Sequence, residues 1–214
     1  GLVGSDVCTV NVSGGKKDVG DYTATASTLS NANYALPDDK TCAFTIAHKV
    51  VGLTWSNTSL TYNGSAQKPR ATATGLVSGD LCDVTVTGES TNVGDYQATA
   101  TGLSNANYAL PAENLTQAFS IVPKTVGLTW GTASFVYNGQ SRAPTATATG
   151  VVSGDTCGVT VTGAQTNVGS YTATASALSN ANYVLPAANT KAFTIARKVA
   201  QLQWSDATFT YDGQ

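Results

Sequence analysis

The chain has 214 residues, 42% of them apolar and only 11% charged, with a formal net charge of −2 and no run of lysine or arginine. That balance leaves no electrostatic footprint for nucleic acid or an anionic membrane surface. No apolar run approaches the roughly 18 residues that cross a bilayer as a helix, and no basic segment followed by an apolar core opens the chain in the manner of a signal peptide.

One pattern organises the rest. Val19-Gly20-Asp21-Tyr22-Thr23-Ala24-Thr25-Ala26 returns as Val93 to Ala100 and again as Val168 to Ala175. Tyr22 to Tyr96 is 74 residues and Tyr96 to Tyr171 is 75, so the chain is a tandem array. Trp55, Trp130 and Trp204 recur at the same period, as do Tyr62, Tyr137 and Tyr211 in their Tyr-Asn-Gly or Tyr-Asp-Gly triplets. The register gives the back portion of a repeat at 1–48, complete repeats at 49–123 and 124–197, and the front portion of a further repeat at 198–214. The chain begins in mid-repeat and lacks methionine, so it reads as a piece of a longer protein.

Within a complete repeat the alternation predicts about six short strands and no helix. Val51 to Trp55 places Val, Leu and Trp on one face, and Leu60 to Tyr62 continues an apolar face up to the turn dipeptide Asn63-Gly64. Pro69 to Thr74 alternates Ala with Thr, and Leu81 to Thr87 aligns Cys82, Val84 and Val86. The Tyr96 strand follows, then a loop, then Gln117 to Val122 with Phe119 and Ile121 facing in. Thr on the outer faces suits a pleated surface, and large residues opposite Ala let two sheets interdigitate. The Gly corner leading into a strand through Tyr22, Tyr96 and Tyr171 resembles the tyrosine corner of immunoglobulin-type sandwiches. The expected fold is therefore all-β, an array of small immunoglobulin-like β-sandwich modules of about 75 residues, with β-grasp-like modules as the alternative. Trp55, Trp130, Tyr22, Tyr96, Tyr171, Cys82 and Cys157 are its expected core residues.

The loop Leu103 to Pro111 recurs as Leu29 to Pro37 and Leu178 to Pro186. It supports two readings. Asn105, Asn107 and Tyr108, with Asn180, Asn182 and Tyr183, form a rim that contacts a sugar or peptide; or the Asn side chains bond the turn backbone while Tyr and Leu plug the end of the sandwich.

Cys8, Cys82 and Cys157 are equivalent and share a face with two valines each, the setting of a small buried thiol. A Cys8–Cys42 disulfide is the alternative in the first repeat. No Cys-x-x-Cys spacing exists and His48 is the single histidine, so neither a zinc site nor a catalytic base is indicated. Asp6, Asp80 and Asp155 precede strands in turns, but no second carboxylate recurs beside them to complete a calcium site. The expectation is no enzyme, no metal and no cofactor.

Taken together, the Tyr-Asn/Asp-Gly triplet, the Pro-x-Ala-x-Ala-Thr-Gly strand, the Gly-Asp-x-Cys-x-Val-Thr-Val segment, the Gly-x-Tyr-x-Ala-Thr-Ala strand and the Asn-Tyr-x-Leu-Pro loop resemble the MBG/YDG-type repeats of large bacterial cell-surface proteins. The resemblance implies an extracellular module used in the stalks of adhesin-like proteins, with no catalytic or cofactor residues to carry over. A 75-residue domain buries only about 60% of its unfolded surface, so neighbouring repeats of the same chain are expected to stabilise one another into an extended rod. The function expected is a structural spacer at the cell surface or cell wall, with head-to-tail self-association through the incomplete terminal repeats. The alternative is a multivalent adhesin module whose Asn-Tyr loops bind a host glycan or glycoprotein. Neither nucleic acid nor membrane insertion is expected.

Overall fold

The computed structural model describes residues 1–205 and 208–214. Strands and turns make up the described residues, with no helix. Residues 1–48 hold β1 (Val10–Ser13), β2 (Gly20–Leu29) and β3 (Thr41–Ile46). The repeat 49–123 holds β4 (Lys49–Val50), β5 (Gly52–Ser56), β6 (Ser59–Thr61), β7 (Arg70–Thr74), β8 (Val84–Thr87), β9 (Gly94–Leu103), β10 (Tyr108–Ala109) and β11 (Thr116–Val122). The repeat 124–197 copies that order as β12 (Lys124–Thr125), β13 (Gly127–Trp130), β14 (Ser134–Val136), β15 (Ala146–Thr149), β16 (Val159–Thr162), β17 (Gly169–Leu178), β18 (Tyr183–Val184) and β19 (Thr190–Ala196). The six strands expected per repeat are present, and two short ones join them.

Each complete repeat has two layers. One is a four-stranded sheet, β6-β11-β9-β8 in the first repeat and β14-β19-β17-β16 in the second; the other is the antiparallel pair β5-β7 or β13-β15. In the second repeat β14 runs parallel to β19, while β19, β17 and β16 are antiparallel. Residues 1–48 keep the sheet β1-β2-β3, the counterpart of β8, β9 and β11. The fold is thus all-β, tandem and sandwich-like.

Alternation explains which side chains the layers enclose. Ala98 and Ala100 of β9, and Ala173 and Ala175 of β17, are buried, and their smallness lets large side chains from the facing layer approach. Val51, Leu53, Ala73, Ala100 and Tyr108 form one core, with Trp55, Cys82 and Val84 packed at its margin. Ala173, Phe193 and Ile195 form another, flanked by Trp130, Phe135, Val161 and Tyr171. The Trp55 indole N–H donates to the Asn114 carbonyl at 3.2 Å.

The corner tyrosines do what the sequence pattern suggests. The Tyr22 hydroxyl donates to the Asp18 carbonyl at 3.0 Å and lies 3.3 Å from that of Val19, and Tyr171 reaches Asn167 and Val168 at 3.1 and 3.4 Å. Tyr22, Tyr96 and Tyr171 each lie against a phenylalanine, Phe44, Phe119 and Phe193, with ring centroids 5.7 Å apart.

A feature that alternation does not announce is a bulge at one position in all three repeats, between Asn11 and Val12, Thr85 and Val86, and Thr160 and Val161. The extra residue on the long strand is Ser27, Thr101 or Ser176, whose hydroxyl donates back to the Asn11, Thr85 or Thr160 carbonyl. An extra residue resets the period of two. Leu103 therefore packs against the same core as Ala100 although it lies three positions further on, an odd offset that strict alternation would send to the opposite face.

The thiols lie less deep than expected. Cys8, Cys82 and Cys157 are half-buried and Cys42 is exposed; all four are free, so no Cys8–Cys42 bridge forms. Cys82 stands ahead of β8, whose ladder starts at Val84 rather than Leu81, because the Gly79-Asp80 turn carries Leu81 into solvent. Cys42 shares its face with Phe44 and Ile46, but at the sheet margin, where its counterparts are half-buried Gln117 and exposed Lys191.

The chain divides into two compact units that do not follow the repeat boundaries. Unit 1 comprises residues 1–60, 66–90 and 95–120; unit 2 comprises 61–65, 91–94 and 121–214. The Tyr62-Asn63-Gly64 turn and the Asn92-Val93 corner of the repeat 49–123 thus group with the repeat 124–197. The tail at 198–214 has no strand among its described residues, and Trp204 is 87% exposed there; the part of the expected front portion at 206–207 lies outside the described residues.

Candidate functional site

The recurring Asn-Tyr loop is shaped first by its leading asparagine. Asn105 Oδ1 accepts the Asn107 N–H at 3.0 Å, an Asx turn, while its amide donates to the Leu81 carbonyl at 3.2 Å. Asn180 repeats both bonds with Asn182 and Thr156, and Asn31 repeats the turn with Asn33. The loop then runs parallel to the strand that opens the repeat: β4 pairs with β10, and β12 with β18. The bonds are Lys49 N–H to Asn107 carbonyl and Lys124 N–H to Asn182 carbonyl, both at 3.0 Å. So the segment between consecutive repeats is ordered by the very loop whose tip carries Asn107 or Asn182.

Those second asparagines point to the corner of the preceding repeat. In unit 1, Asn107 Oδ1 accepts the Val19 N–H at 2.8 Å and its amide donates to Asp18 Oδ1 at 3.0 Å. In unit 2, Asn182 Oδ1 accepts the Val93 N–H at 2.9 Å and its amide donates to Asn92 Oδ1 at 3.0 Å. The contact is the same one made twice. At the first junction the carbonyls of this corner, Asp18 and Val19, are held by Tyr22, so a rigid peptide is presented to Asn107.

Tyr108 and Tyr183 are buried. The Tyr108 hydroxyl donates to Asp80 Oδ2 at 2.6 Å and accepts the Val77 N–H at 2.9 Å; Tyr183 does the same with Asp155 at 2.5 Å and Val152 at 2.8 Å. Tyr34 reproduces the arrangement with Asp6 and Val3. In unit 2 a second tyrosine joins. Tyr62, 4% exposed, donates to the same Asp155 Oδ2 at 2.8 Å and meets the Tyr183 ring edge-on, with centroids 5.4 Å apart at 82°. Gly64 follows with a φ of +81°, and a Cβ there would sit 2.5 Å from Val152 Cγ1. Only glycine fits both the left-handed backbone and that approach.

The carboxylate feels both hydroxyls. The Asp155 carboxyl lies below the usual carboxylate range because Tyr183, and then Tyr62, donates to its charged form. Tyr62 is raised above the usual tyrosine value chiefly by that bond and then by burial, Tyr183 chiefly by burial and then by Asp155, and Tyr108 chiefly by its bond to Asp80. A depressed Asp155 contributes stability that is complete above its unfolded value of about 4 and is lost as pH falls through the folded one. The raised tyrosines contribute fully below about 10, and that contribution is lost as pH rises through their folded values. Unit 2 is therefore expected to be most stable between these limits. The urea midpoints of the parent chain and of Asp155→Asn should differ at pH 7 and converge towards pH 3. A gap of constant size would show that the hydroxyls do not depend on the carboxylate charge.

Among the described residues no group of three or more His, Cys, Asp or Glu side chains is placed to hold a metal. Asp80 and Asp155 face tyrosine hydroxyls, and His48 is exposed. Residues that the sequence pattern did not assign to a junction complete it: Asp18, Val19, Asn92 and Val93 as partners of the Asn tips, and Tyr62, Gly64, Asp155 and Val152 as a second contact set. The available signal was that the Tyr-Asn-Gly triplet and the Val-Ser-Gly-Asp turn recur at one period.

Sheets, corners and junctions that repeat together define a tandem β-repeat protein. The family model described as MBG domain (YGX type) matches residues 48–116 and 127–194, and the chain belongs to that family. No match was found among curated proteins or among solved structures.

Proposed function

We propose that this chain is a run of structural spacer repeats from the stalk of an extracellular bacterial surface protein, without catalytic activity. The observation that carries the reading is the duplicated Asn clamp, Asn107 on Val19 and Asp18, Asn182 on Val93 and Asn92. A spacer needs each repeat to hold its neighbour in a set way, and here the most recognisable loop of the repeat serves that purpose. The adhesin alternative assigned the same loop to a glycan, but Asn105, Asn107, Tyr108, Asn180, Asn182 and Tyr183 direct their polar atoms to partners within the chain.

A glycan array probed with the intact chain tests the reading. No saturable signal is expected. Saturable binding that Asn105→Ala weakens would overturn the spacer in favour of the adhesin, since the Asx turn sets the shape of the loop.

A further inference from the structure

In the repeat 124–197, β14 lies near the front and β19 at the end, and the two run side by side in the same direction. Ser134, Phe135 and Val136 stand opposite Thr194, Ile195 and Ala196. Bonds continue past both ends of β14: the Thr194 N–H donates to the Ala133 carbonyl and the Tyr137 N–H to the Ala196 carbonyl, both at 2.9 Å. The repeat 49–123 carries the same two bonds, Ser120 to Thr58 and Tyr62 to Val122, again at 2.9 Å.

The direction of the pair decides how it meets tension. A pull along the chain draws β14 towards its N-terminus and β19 towards its C-terminus, and in parallel strands those two pulls are opposed along one axis. The ladder bonds lie across that axis at even spacing, so they share the load instead of opening one after another. The entry strand is loaded in the same sense. β12 is parallel to β18, with the Lys124 and Val126 N–H groups on the Asn182 and Val184 carbonyls at 3.0 and 3.1 Å. Core side chains back the β14–β19 ladder: Ile195 is buried, Phe135 meets Phe193 edge-on, and the Arg142 guanidinium lies 6.0 Å from the Phe135 ring centroid. Water is thereby kept from competing for the bonds on that side. β16 is the opposite edge of the sheet order β14-β19-β17-β16, away from the line of load.

We infer that β14 and β19 form a shear latch through which the repeat bears tension along the chain. The inference rests on the spacer reading, which sets the direction in which load arrives, and adds to it a mechanical role.

Holding the intact chain at constant force, with a handle at each end, tests this, because forced unfolding reads the unfolding rate. Each complete repeat is expected to yield in a single step that releases roughly 250 Å of chain. Tyr137→Pro removes the last N–H of the latch, and should shorten the lifetime of one of the two steps about 2- to 12-fold at fixed load, the worth of one hydrogen bond. Tyr137→Ala keeps that N–H and should leave the lifetime near the parent's. Val161→Ala truncates a side chain of β16 at the margin of the same core. It should lower the urea midpoint yet leave the lifetime under load within about twofold, because β16 is still paired when the latch gives. Four results would each overturn the inference: a parent repeat that lengthens in many small increments, a Tyr137→Pro step as long-lived as the parent's, equal shortening in Tyr137→Ala, or a lifetime that follows the urea midpoint in Val161→Ala. None of them touches the glycan array, on which the spacer reading itself stands or falls.

Discussion

Replacing Phe193 by alanine is expected to destabilise unit 2 by about 3–5 kcal/mol. The ring is buried to 2% exposure and lies edge-on to Phe135, with centroids 6.0 Å apart at 82°, and tilted against Tyr171 at 5.7 Å. Its other core neighbours, Ala173 and Ile195, come from the same sheet, and Trp130 closes the opposite layer. Ala173 is too small to fill a vacated ring site, so the cavity would persist. Domains of this size have only about 5–15 kcal/mol of stability in total. The variant should therefore unfold at a much lower urea concentration, and Trp130 fluorescence is the probe suited to unit 2. Trp204→Ala is the control, expected to change stability by no more than about 0.5 kcal/mol because that side chain is exposed. A loss below about 1 kcal/mol for Phe193→Ala would mean that the two layers are not held together through this ring.

The second large effect concerns the clamp. Asn182→Ala leaves the Val93 N–H without the acceptor it meets at 2.9 Å in a partly buried setting, and orphaning such a donor costs about 1–3 kcal/mol. The cost falls on the junction rather than on the Phe193 core, since Asn182 touches the 91–94 corner while the sheets are formed by other residues. Hydrogen exchange separates the two. The Val93 amide should exchange about 5- to 150-fold faster in Asn182→Ala, with amides of β17 and β19 near their parent rates. Asn107→Ala should do the same to the Val19 amide in unit 1. Faster exchange spread evenly over β17 would show instead that the asparagine supports the repeat as a whole. Such a variant would keep its sheets while the 91–94 corner loses its tie to Asn182, a local defect that a whole-chain stability assay would miss.

Much of the architecture was legible in the amino-acid sequence because it depends on local periodicity. The period-two runs around Leu53, Ala73, Val86, Ala98 and Phe119 reflect which face of a strand is covered, and the tandem period shows that the covering is repeated. The Gly-Tyr corner was legible for the same reason: Tyr171 reaches carbonyls only three and four residues back. Other features were decided by the tertiary structure. The bulge opposite Thr85 and Val86 needs a partner strand to exist, so alternation alone could not place Leu103 beside Ala100. The depth of the thiols depends on where one sheet stops covering another, which the Cys-x-Val-x-Val pattern does not encode. The Asn clamp joins positions 88 and 89 residues apart, and the Tyr62–Asp155 bond joins positions 93 apart. A sequence specifies these residues at each repeat but not which of them meet, because a bond between consecutive modules is fixed by the packing of both, while the pattern in each strand is fixed by its own sheet.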